Sequence, residues 1–111
     1  MRAALASIFF ALTGCSNATP DLANDLPENI EEASSQFDSR VKERFALGMA
    51  EVDLVRELRS QGFERLPSSR GIEDATFYRK NFPFVSLWSV RWKSENGKVT
   101  EVWGVHGVRG P

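Results

Sequence analysis

The chain is 111 residues long, carries 14 basic and 15 acidic side chains, and has a formal net charge of −1. That length supports one compact hydrophobic core and not two. A single cysteine excludes an internal disulfide, and a single histidine without a cysteine pair leaves no cluster at metal-ligand spacing.

Residues 1–14 have the three parts of an export signal. Arg2 is the positive end, residues 3–12 are an apolar run, and small Thr13 and Gly14 precede Cys15. The run is too short to span a bilayer, which takes about 20 residues. Leu12-Thr13-Gly14-Cys15 resembles the lipobox of bacterial lipoprotein precursors. The resemblance implies that the Cys15 sulfur receives a diacylglyceryl group, that the peptide is cut just before it, and that the new amino terminus is acylated. Each buried methylene contributes about 0.8 kcal/mol and one chain anchors only marginally, so multiple acylation at Cys15 implies a firm membrane anchor. Ser16 stands where an Asp would retain such a protein in the inner membrane, which implies the periplasmic face of the outer membrane. Export also removes nucleic acid as a partner. The competing reading, a buried N-terminal helix ending in a cysteine, leaves the polar stretch that follows unexplained.

That stretch, residues 15–27, is small, polar and proline-punctuated, with no sustained hydrophobic period. Such a composition buries too little apolar surface to offset the entropy of ordering it, so it is expected to be a flexible tether. Residues 28–111 form the single domain. Ile30, Ala33, Phe37, Val41 and Phe45 recur at spacings of three and four, predicting a helix from residue 27 or 28 to 45 with these side chains buried. Asp38 and Lys42 form an i,i+4 pair on its wet side. A second helix is predicted over 50–61, with Leu54, Val55 and Leu58 inward, Gly62 as its left-handed cap and Phe63 folding back on its last turn. Asp53, Arg56, Glu57 and Arg59 read as its solvated face.

From Phe63 the pattern becomes extended. Residues 63–66 are short, residues 67–71 read as a loop, and residues 75–80 as the first full strand, interrupted by Asn81-Phe82-Pro83. Over 85–93 the alternation puts Trp88, Val90 and Trp92 on one face and Ser89, Arg91 and Lys93 on the other. Asn96-Gly97 is a two-residue hairpin signal, because both residues tolerate positive φ. The partner strand runs from Lys98 to about His106. In the preferred register Glu95 faces Lys98, Trp92 faces Glu101, Val90 faces Trp103 and Trp88 faces Val105, which buries Trp103. A three-residue loop with a bulge would instead put Val102 under Val90.

Phe45-Ala46-Leu47-Gly48-Met49 entering a helix with Val52 and Val55, then a tryptophan-rich strand, then Asn96-Gly97-Lys98-Val99-Thr100-Glu101-Val102, resembles the SmpA/OmlA (BamE-like) family of small envelope lipoproteins. The resemblance spans about residues 45–105. It implies an α+β fold in which two N-terminal helices pack on a three-stranded antiparallel sheet (ααβββ), a unit that recurs in β-lactamase-inhibitor-like proteins.

Charge is distributed unevenly: residues 16–74 hold 13 acidic and 7 basic side chains, and residues 75–111 hold 2 acidic and 6 basic. Arg79, Arg91, Lys93 and Lys98 are therefore candidates for a basic sheet surface facing anionic lipid or an acidic protein patch. The alternative is a solvated face with charges scattered for solubility. No nucleophile elbow, phosphate loop or dinucleotide fingerprint occurs, and no cofactor is expected. The expectation is a non-catalytic interaction or scaffold module in envelope assembly or maintenance. The alternative is a lipid-anchored binding or inhibitor module for a periplasmic enzyme, peptide or glycan.

Overall fold

The structure is a computed structural model that describes residues 19–110. A 3-10 turn at Asp21–Ala23 precedes helices α1 (Ile30–Arg44) and α2 (Glu51–Ser60). Four strands follow, β1 (Glu64–Ser69), β2 (Ile72–Asn81), β3 (Phe84–Glu95) and β4 (Lys98–Arg109), in one antiparallel sheet of order β1-β2-β3-β4. The expected three-stranded sheet is thus corrected to four strands. The residues read as a short extension and a loop form β1, and Ser69 pairs with Ile72 around a two-residue turn. Arg70 (φ 57°) and Gly71 (φ 78°) both take positive φ, as a type I′ hairpin turn demands. Pro67 is tolerated because it lies on an edge strand, within the irregularity between Leu66 and Ser69.

Helix α1 starts later than its proline suggested. The Asn29 side chain caps it by accepting from the Glu32 backbone N–H at 3.0 Å, so Ile30 falls in the first turn and is exposed. Ala33, Phe37, Val41 and Phe45 are buried as the stripe required. Helix α2 buries Leu54 and Leu58, and Gly62 (φ 96°) ends it while the Phe63 N–H returns to the Leu58 carbonyl at 3.0 Å.

The register of β3 with β4 matches neither expected pairing. The turn is Asn96-Gly97 as read, with Glu95 opposite Lys98 and Ser94 opposite Val99. Lys93 is then opposite Glu101, which makes Thr100 an extra residue on β4; its hydroxyl donates to the Lys93 carbonyl at 3.2 Å. Beyond this bulge Trp92 faces Val102, Val90 faces Gly104, and Arg91 faces Trp103. Trp103 therefore lies half-buried on the sheet face away from the helices, not in the core.

Sterics explain the preference. A Cβ on Gly104 would sit 2.9 Å from both Phe37 Cδ2 and Val41 Cγ2. Helix α1 occupies the space a side chain would need, so glycine, not tryptophan, must stand beneath it. Asp38 completes the seat by accepting the Gly104 N–H at 2.9 Å, besides pairing with Lys42 at 3.1 Å. Asp38 thus faces the sheet rather than the wet side alone.

The core joins both helices to the sheet through Phe37, Val41, Leu54, Leu58, Phe63, Val90, Trp92 and Val99. Leu22 and Ala23 belong to it too, which corrects the second half of the expected tether: from Pro20 the chain is docked, not free. Expected outcome: Gly104→Ala forces an overpacked α1–β4 contact and costs about 1–3 kcal/mol. Urea unfolding followed by tryptophan fluorescence measures it, and an unchanged midpoint would contradict the packing.

Candidate functional site

Cys15 and the whole of the residue 1–14 segment lie outside the described residues. What the structure supplies is the path by which the chain arrives from that side. Arg40 on α1 donates to the carbonyls of Asp21, Leu22 and Asn24 through one guanidinium nitrogen and to that of Asp25 through the other. These carbonyls crowd the C-terminal end of the 3-10 turn, where a cation complements the local dipole. From α2, the Gln61 side-chain oxygen accepts the Leu22 N–H at 3.2 Å, and its amide nitrogen donates to Glu57 at 2.9 Å. One step earlier, Arg79 on β2 donates to the Thr19 hydroxyl. The incoming chain is thus held by both helices and by β2.

The four basic residues proposed from sequence do not converge. Arg79 pairs with Ser86 across β2 and β3, whereas Lys98 pairs with Glu95 at the far end of β3. Nine residues separate those positions, roughly 30 Å of strand. Arg91 and Lys93 share the outer sheet face, yet each has an acid beside it: Arg91 Nε lies 3.1 Å from Asp74, and Lys93 Nζ 3.5 Å from Glu101. Counting charges along the chain placed an acidic half against a basic half. In space, cross-strand pairing sets acids beside two of these cations, Arg91 and Lys93.

The outer face also carries a small polar network. Ser89 and Thr76 hydroxyls lie 2.8 Å apart, Thr76 donates to Asp74 at 2.8 Å, and Asp74 accepts from Arg91 through its other oxygen. A serine, threonine and aspartate in sequence-distant contact invite a nucleophile reading. The carboxylate is engaged on both oxygens, one of them by a guanidinium, so it is poorly placed as a proton acceptor for the hydroxyls. His106 sits on the helix-facing side instead. Its ring stacks on Trp88 at 3.6 Å between centroids, and its Nδ1 donates to the Leu87 carbonyl at 2.9 Å.

A groove of about 620 Å³ lies between the end of α1 and β4, lined by Lys42, Phe45, Ala46, Leu47, Glu101, Val102 and Trp103. Leu47 is 65% exposed at its lip and Trp103 forms part of its wall. The strand edge beside it is interrupted. Val99 is bridged to Met49 and Gly48, and the Gly104 N–H is taken by Asp38. Val102 shares Gly104's orientation by the two-residue alternation of a strand, so its peptide group faces outward between those two closures. Sequence reading missed this groove because Trp103 was placed in the core. Leu47, an apolar residue after the last helical stripe position, was the available signal.

Comparison of the chain with protein families, curated proteins and solved structures gives no match. Among the described residues no group of three or more His, Cys, Asp or Glu could hold a metal, and no helix is long and apolar enough to cross a membrane.

Expected outcome: Arg40→Ala releases the 3-10 turn without dismantling the sheet. Amide hydrogen exchange should rise sharply at Leu22, Ala23 and Asn24 while β3 amides stay protected; equal acceleration everywhere would make Arg40 a global stability element instead.

Proposed function

We propose that the chain is a lipid-anchored envelope protein, acylated at Cys15 and held on the periplasmic face of the outer membrane, which acts there as a non-catalytic interaction module in envelope assembly or maintenance. Leu12-Thr13-Gly14-Cys15 after a short apolar run supports the anchor. The observation that carries the interaction role is the groove at Leu47 and Trp103. Phe45, Leu47 and Trp103 give it an apolar lining, Val102 lines it beside them, and Lys42 and Glu101 add one cation, paired with Asp38, and one anion, paired with Lys93. That combination suits a short extended segment of a partner protein, inserting an apolar side chain beside Trp103 and meeting the Val102 peptide with its own backbone. The Val99 and Gly104 closures leave only a short stretch of edge between them, so the partner adds a short contact and not a full strand.

Two measurements test the reading separately. Cys15→Ala should abolish acyl incorporation and lipoprotein-type cleavage and remove the protein from the outer-membrane fraction. A photo-crosslinking residue in place of Leu47, in cells carrying intact Cys15, should capture a discrete envelope protein, whereas the same residue at Ser68 on the opposite edge strand should not. Equal capture at both positions would exclude the groove as the contact. A target captured equally well by the unanchored protein would favour a binding or inhibitor module over a membrane scaffold.

A further inference from the structure

We propose that the β2–β3 hairpin tip is a second membrane contact, seated in the lipid–water interface of the bilayer that holds the Cys15 anchor; the inference rests on acylation of Cys15. At this tip Phe82 is 97% exposed and Phe84 47% exposed, joined through Pro83 in a tight turn between Asn81 and Phe84. Phe82 buries almost nothing in the domain, Phe84 is only half-buried, and neither ring belongs to the core. A phenylalanine ring seated at the headgroup–acyl boundary does lose unfavourable water contact, as the Trp, Phe and Leu of interfacial segments do.

The surrounding charge fits the same occupant. Lys80, Val85 and Arg109 lie in one cross-strand row just behind the tip, and Arg79 is in the next row. No Asp or Glu occurs between Asp74 and Glu95. Among the described residues neither Lys80 nor Arg109 enters an ion pair. A cationic collar behind an aromatic apex matches anionic headgroups above an acyl layer.

Chain length decides which end of the domain faces the membrane. Thr19 is bonded to Arg79, three residues before Phe82. Thr19 is four positions after Cys15, a reach of at most about 14 Å. Phe82 lies about 10 Å of strand beyond Arg79. An acylated Cys15 therefore keeps the tip within reach of the lipid surface. The Asn96-Gly97 turn stands at the other end of the twelve-residue β3, roughly 36 Å away.

The test uses the full chain matured in cells, with Cys15 acylated and a single new thiol introduced by Gly110→Cys, beside Phe84, or by Asn96→Cys at the far turn. Each is labelled with an environment-sensitive fluorophore and reconstituted in vesicles of equal parts phosphatidylcholine and phosphatidylglycerol containing headgroup-region nitroxide lipid. Quenching should be several-fold stronger at 110 than at 96. Phe82→Ser, which cannot disturb the core, should reduce quenching at 110. Lys80→Glu and Arg109→Glu should each lower the inserted-to-free ratio about fivefold or more, and less in phosphatidylcholine alone. Equal quenching at the two ends, or no response to Phe82→Ser, with acylation of Cys15 verified by mass, overturns the tip contact and leaves the anchor standing. Absence of acyl mass on Cys15 overturns the anchor and the tip contact together.

Discussion

Helix α1 rests on β4 at a place where the strand has no side chain, and most of the domain is arranged around that contact. Phe37 and Val41 fill the volume above Gly104, and Asp38 takes its N–H. An edge strand normally exposes a row of unpaired peptide groups, a standing invitation to aggregation. Here the helix and the segment after it close much of that row. Phe45 ends α1 inside the core, and the next few residues run back along β4, where Gly48 and Met49 bond Val99 and the Glu51 N–H meets the Gly97 carbonyl. The path of α1 thereby fixes where α2 begins. The Thr100 bulge serves the same contact, since without the extra residue Trp103 would take the position opposite Val90 that Gly104 holds.

Trp92 shows what the start of α2 accomplishes. Its ring is fully buried, its indole N–H donates to Glu51 at 2.8 Å, and the Arg65 guanidinium lies 5.2 Å from the ring centre while pairing with Glu73. A large aromatic is thus placed in the core with its one polar atom satisfied, tying α2, β1 and β3 together. Trp88 is handled differently. It stacks on His106 and receives the edge of Phe37 at 5.4 Å, but its indole N–H has no hydrogen-bond partner among the described residues. A buried donor left unpaired costs about 1–3 kcal/mol, which the two ring contacts partly offset.

Periodic features of this chain were legible because local physics determines them. The spacing of Ala33, Phe37, Val41 and Phe45 gave the buried side of α1, and the alternation at Trp88, Val90 and Trp92 gave the core face of β3. Asn96-Gly97 announced its turn through tolerance of positive φ, whereas Arg70-Gly71 adopts similar angles behind a residue that carries no such signal. The bulge was illegible for another reason: it answers to the distance between α1 and β4, which no window of sequence contains. Leu22 and Ala23 have no hydrophobic period around them, so nothing local marked them as core. What orders them is Arg40, eighteen residues after Leu22, which bonds the carbonyls of Asp21, Leu22, Asn24 and Asp25. The acids beside the basic face were equally hidden, since Asp74 and Glu101 meet Arg91 and Lys93 only once the strands are in register.

Docking of the 3-10 turn changes how the proposed anchor and the groove relate. A free tether over residues 15–27 would let the domain tumble, and any surface could meet the membrane. With Thr19 held by Arg79 and the next residues held by Arg40 and Gln61, only a few residues remain between Cys15 and a fixed point near the hairpin tip. The groove lies elsewhere. Trp103 in its wall is opposite Arg91, seven residues along β3 from Phe84, or roughly 23 Å. A domain standing on its tip would therefore hold the groove clear of the headgroups, toward proteins in the aqueous space. Under the proposed acylation of Cys15, the short tether, the exposed aromatic apex and the distant apolar groove agree on a single orientation.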